Sequence, residues 1–81
     1  MLRSQELIEY QNPQYTRLGK AFGTALRKQR EEKGVGEEEL ADAIGLTPIH
    51  LRYIEEGKLL PDLFVIVEIT RYFGTKLGAF L

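Results

Sequence analysis

Glycines at positions 34, 45, 57 and 74 divide the chain into lengths whose apolar residues recur about every 3.6 positions. Amphipathic lengths with such stops describe short helices joined by tight turns. No stretch alternates apolar and polar residues with period two for the length of a strand. An all-α chain is therefore expected.

The first helix is expected over about 17–33, with Leu18, Phe22, Ala25 and Leu26 on one face and a stop at Gly34 after Lys33. Val35 plugs the loop that follows. The second spans about 37–44. Its opening Glu37-Glu38-Glu39 suits the positive end of the helix dipole, and Leu40, Ala41 and Ile44 form its apolar stripe. The third starts with Thr47 as N-cap and Pro48 at the first helical position, where a missing N–H costs nothing. Leu51 and Ile54 point inward from it, and Gly57 closes it. The fourth runs from near Pro61-Asp62 to Phe73, with Leu63, Ile66, Val67, Ile69, Thr70 and Phe73 on the expected inward arc. A last turn or two over 76–81 offers Leu77 and Phe80.

Residues 1–16 read as an N-terminal arm or short helix with Leu7, Ile8 and Tyr10 as apolar contacts, and residues 17–81 as the folded domain. Gln11-Asn12-Pro13 breaks the arm, because proline removes a donor and disfavours helix in the residue before it.

Composition excludes several function classes. The chain has 81 residues, 43% of them apolar, which suits one domain with one core. It has no cysteine, so thiolate metal sites are excluded, and the single His50 builds no zinc site alone. No apolar run approaches the ~20 residues of a membrane span, and the N-terminus lacks a signal-peptide stretch. A cytoplasmic location is the expectation. There is no Ser/His/Asp set and no glycine-rich phosphate loop, so neither catalysis nor a cofactor, metal or small-molecule ligand is expected. The net charge of −1 does not point to nucleic acid, but it is unevenly spread. Residues 1–30 carry +4. Residues 31–56 carry −6, with Lys33 and Arg52 set against Glu31, Glu32, Glu37, Glu38, Glu39, Asp42, Glu55 and Glu56.

The span of the second and third helices is the informative part. Ala41 is small where two helices would cross, Gly45 permits a sharp turn, and Leu46, Leu51 and Ile54 lock the third helix by its back. From about Phe22 to Leu81 the chain resembles the Cro/phage-repressor family of helix-turn-helix DNA-binding proteins, also called the XRE type. The matching pieces are Leu26-Arg27 and Arg30-Glu31-Glu32-Lys33-Gly34, then Glu38-Glu39-Leu40-Ala41 and Gly45-Leu46-Thr47. Ile54-Glu55, Gly57-Lys58, Pro61 and Phe73-Gly74 follow at matching spacing.

The resemblance implies a five-helix, lambda-repressor-like bundle that binds double-stranded DNA through its third helix in the major groove, as a homodimer on a palindromic site. It implies DNA contacts from Thr47, Pro48, Ile49, His50, Arg52 and Tyr53, with Lys58 and Arg27 at phosphates. It also implies a structural ion pair between Arg30 and Glu55. The residues themselves agree, since a carboxylate one position past inward Ile54 needs a partner. The chain departs from the family pattern at Gly36-Glu37, where Ser-Gln is common beside a phosphate that Glu37 would repel. It also departs at Pro48 and Ile49, usually polar, and at Glu56, where an acid is uncommon. His50 reads equally as ordinary surface, and solvated surface is the alternative reading of Arg27.

Phe64, Val65 and Tyr72 lie off the expected inward arc of the fourth helix and need cover. The partner subunit is one candidate, with Phe80 and Leu81 joining in; the N-terminal arm is another. The function expected is sequence-specific DNA binding by a transcription regulator. The alternative is a helix-turn-helix fold used as a protein-interaction module, motivated by the local charge of −6 and by apolar Pro48-Ile49.

Overall fold

The computed structural model describes residues 13–80. Four α-helices and one 3-10 turn follow each other among these residues, with no strand: α1 (Pro13–Glu32), α2 (Glu37–Ile44), α3 (Pro48–Glu55), α4 (Leu63–Phe73) and the terminal turn Leu77–Phe80. The fifth helix expected from the resemblance is thus a single 3-10 turn. The apolar contacts expected of Leu7, Ile8 and Tyr10 lie outside the described residues, as does Leu81.

Local chemistry sets most boundaries. α1 begins at Pro13 rather than near 17, because proline at the first helical position forfeits no hydrogen bond. After α2, Leu46 N–H donates to Ala41 O at 2.8 Å across Gly45. Thr47 Oγ1 accepts from His50 N–H at 3.2 Å and opens α3, as a side-chain N-cap does. Asp62 Oδ1 accepts from Val65 N–H at 2.9 Å and opens α4.

α1 packs on α3 and on the terminal turn, while α2 packs on α3 and α4. The core draws on every element: Phe22 and Leu26 from α1, Leu40, Ala41 and Ile44 from α2, Leu51 and Ile54 from α3, Val65 and Ile69 from α4, and Phe80. Glycine makes the α1–α3 crossing close. A Cβ at Gly23 would come within 2.6 Å of Glu55 O. Gly57, at φ +75°, lets the chain leave α3 against α1, where a Cβ would meet Lys20 Cα at 2.9 Å. The first turns of α1 therefore meet the bundle through Gly19, Phe22 and Gly23, all buried, and Leu18, expected inside, stands 47% exposed.

The inward arc of α4 differs from expectation. Val65, expected off it, is buried beside Ile69, while Leu63 and Val67, expected on it, are exposed. The helix LFVIVEITRYF is apolar nearly all round, so periodicity does not set its rotation. Packing against α2 does, and it turns Leu63, Phe64 and Val67 outward. Phe80 likewise belongs to the core rather than to an outer face. It is 1% exposed, with its ring centroid 5.6 Å from that of Phe22 and 6.3 Å from that of Phe73. The 3-10 turn folds this ring back onto α1, where its burial stabilises the fold by about 1.5–3 kcal/mol.

Candidate nucleic-acid interface

α3 is held from behind and open in front. Leu51 and Ile54 are fully enclosed, whereas Thr47, Pro48, Ile49, His50, Arg52 and Tyr53 are all exposed. At 3.6 residues per turn Leu51, Ile54 and Glu55 share one side of the helix, so the exposed residues of α3 form one continuous face opposite them, which Thr47 extends at the N-cap. Lys58 is exposed just beyond the C-terminus of α3, and Arg27 is half-buried on α1.

The anchor is ionic as well as apolar. Arg30 on α1 donates from Nε to Glu55 Oε2 at 2.7 Å and from Nη2 to Oε1 at 3.1 Å. Arg30 Nη1 also donates to Val35 O at 3.0 Å, which ties in the α1–α2 loop. The hydrogen bond to Glu55 raises the guanidinium pKa further above its already high ordinary value, against the desolvation that lowers it. A buried carboxylate is tolerable only when charge and hydrogen bonds are both supplied, as here. Arg27, expected at a phosphate, adds a third donor: its Nε lies 3.4 Å from Glu55 Oε1.

Two further cations on the face also meet acids. Arg52 Nε donates to Glu37 Oε2 at 3.2 Å, joining the outer side of α3 to the first residue of α2. Lys58 Nζ lies 3.1 Å from Glu56 Oε1 and 6.0 Å from the centroid of the Tyr53 ring. All four of these charged residues stay substantially exposed, so each pair is weak in water. Spacing along the chain gives no hint of the Glu37–Arg52 contact. It exists because the Gly45–Thr47 turn swings α3 back across the start of α2.

Glu37, Glu38, Glu39, Pro48 and Arg52 line an open groove between α2 and α3. Among the described residues no three His, Asp or Glu side chains gather as a metal ion would require. No helix there is long and apolar enough to cross a membrane. Of the residues expected at a partner face, Phe64 is 69% exposed and Tyr72 lies at the surface, with its ring edge-on to Phe73 at 5.0 Å. Val65 and Phe80 are inside the protomer.

A family model described as helix-turn-helix matches residues 26–80. An uncharacterized HTH-type transcriptional regulator of Methanothermobacter thermautotrophicus is 35% identical over 53 residues, which are 65% of this chain and 77% of that protein. Among solved structures, the clp gene regulator ClgR of Corynebacterium glutamicum superposes with a TM-score of 0.74 at 30% identity, over 78% of this chain and 67% of the other. The restriction-modification controller protein C.AhdI of Aeromonas hydrophila does so with a TM-score of 0.73 at 25% identity, over 78% of this chain and 96% of the other.

Proposed function

Because the chain belongs to the helix-turn-helix family of the Cro/phage-repressor type, we propose that it is a transcription regulator that binds double-stranded DNA sequence-specifically, with α3 in the major groove. The observation that carries this reading is the division of α3 into an enclosed back, Leu51, Ile54 and Glu55, and a fully exposed front. An α-helix with its side chains is about 10–12 Å across, and the major groove is about 12 Å wide. Thr47, Pro48, Ile49, His50, Arg52 and Tyr53 then lie along base edges and the groove wall. Lys58 and Arg27 flank them at phosphates.

The regulator acts as a homodimer. Leu63, Phe64 and Val67 are an exposed apolar cluster on α4, with Tyr72 and Leu77 as further exposed apolar side chains. A face of this kind supports burial against a second copy. Two copies of α3 then meet half-sites about 34–36 Å apart.

A gel-shift titration against random duplex, followed by selection from a random library, tests this. Complex at low salt, with log affinity falling as log salt rises, is the expected result. One observation favours a second reading as a protein-interaction module: Arg27, Arg52 and Lys58 each face an acid. Absence of any complex at low salt would select it.

A further inference from the structure

We propose that Glu37 is a positioning residue that presents Arg52 to a guanine, and that α3 recognises a guanine beside a thymine. The proposal rests on the DNA-binding reading above and deepens it by naming the base chemistry.

Only one exposed side chain of α3 carries two parallel donors. Thr47 has a single hydroxyl, already accepting from His50 N–H. Pro48 and Ile49 have no polar side-chain atom. His50 in its neutral form and Tyr53 offer one donor each. Arg52 alone has a fork, and guanine alone offers two acceptors, O6 and N7, on its major-groove edge. Glu37 accepts from Nε only, so both terminal nitrogens of Arg52 have no partner among the described residues. Arg52 is thus tethered at one edge and open at the end that a bidentate contact uses.

The tether has a physical consequence. An arginine side chain loses much rotamer freedom when it docks, and part of that loss has already been taken when Glu37 holds it. The pair is exposed and weak, so it biases the guanidinium without locking it. Ile49, Arg52 and Tyr53 stand at i, i+3 and i+4, on one stripe of the helix. Ile49 is 56% exposed beside the fork. An apolar side chain there meets the thymine methyl, the one apolar group on any base edge in that groove.

Glu37 also opposes nearby phosphate charge. The two effects separate in a measurement: Glu37→Gln raises affinity for random duplex and lowers preference for guanine. A merely structural role would move both the same way.

The experiment selects duplexes from a random library with the full chain, then titrates the wild type, Glu37→Gln, Arg52→Ala, Arg52→Lys and Ile49→Ser. The duplexes are the selected one, its guanine-to-adenine version and its thymine-to-uracil version. One guanine fixed in each half-site next to a thymine is expected. Arg52→Ala and Arg52→Lys lose the guanine preference, by roughly 5- to 150-fold, because an ammonium cannot fork. Glu37→Gln reduces the preference by roughly threefold or more while binding random duplex more tightly. Uracil weakens the wild type but not Ile49→Ser. The guanine and thymine preferences are ratios between duplexes for one variant, so loss of folded protein does not alter them; the random-duplex comparison between variants is referred to folded protein quantified by circular dichroism. A selected site without a fixed guanine, or an unchanged guanine preference in Glu37→Gln, overturns the proposal. Failure of the wild type to bind any duplex at low salt overturns the DNA-binding reading itself.

Discussion

Arg30 and Glu55 meet edge to edge inside the bundle, with two guanidinium nitrogens at 2.7 and 3.1 Å from the two oxygens of one buried carboxylate. This contact joins α1 to the last residue of α3 and so fixes the tilt of the exposed face. Removing either partner strands a buried charge. Arg30→Ala and Glu55→Ala should each lower stability by about 3–5 kcal/mol in urea denaturation. Arg27→Ala, which removes only the longer, half-exposed contact to Glu55, should lower it by about 1 kcal/mol or less. Equal losses for Arg27 and Arg30 would refute the ranking. The raised pKa of Arg30 has a simple consequence for pH. Its stabilisation is whole below the ordinary guanidinium range and lapses only above it, so titration near neutrality leaves it intact.

Two glycines of α1 should respond oppositely to alanine. At Gly23 the added methyl meets backbone, with Glu55 O at 2.6 Å and Glu55 C at 2.8 Å, and the helices must part. Gly23→Ala should be destabilising by about 1–3 kcal/mol. At Gly19 the nearest atom is Leu60 Cδ2 at 3.1 Å, the end of a side chain that can turn away. There the better helix propensity of alanine, worth up to ~1 kcal/mol, should leave stability equal or higher. Thermal melts of the two variants check the contrast.

Phe80 and Phe64 separate what the protomer buries within itself from what the proposed dimer would bury. Phe80→Ala should cost about 3–5 kcal/mol, since the ring is enclosed by Phe22 and Phe73. Phe64→Glu should leave the protomer's own stability within about 0.5 kcal/mol. It should weaken self-association in sedimentation equilibrium. A dimer that survives Phe64→Glu unchanged would remove α4 from the interface.

The paired cations predict shallow salt dependence. Each phosphate neutralised adds about 0.9 to the magnitude of the log–log slope. Lys58 is engaged by Glu56 at 3.1 Å. Glu56→Gln should free it, raise affinity for random duplex and steepen the slope toward one further contact. A slope unmoved by that change would mean that Lys58 touches no phosphate.

What the sequence made legible was local. Thr47-Pro48 marks the start of α3 through a hydroxyl cap and a proline without N–H, and the stops at Gly45 and Gly74 coincide with left-handed backbone at φ 78° and 64°. Glu55 announces a need for a cation by its place next to buried Ile54. Relations across the bundle were less legible. The apolar residues of α4 surround the helix, so Leu63 and Val67 could be assigned inward and Val65 outward with equal pattern support. Phe80 reads as a terminal apolar residue until the 3-10 turn brings it to Phe22. Glu37 looks like a simple repulsive charge, because only the folded turn shows that Arg52 lies beside it.

The proposed function requires that DNA meet the open front of α3. Titrating a selected duplex into 15N-labelled protein and following the backbone amides tests it most directly. The amides of residues 47 and 49–53, with that of Lys58, should shift first and most, while those of Val65 and Ile69 stay in place. Shifts confined to α4 or the terminal turn, with residues 47–53 unmoved at saturation, would contradict it.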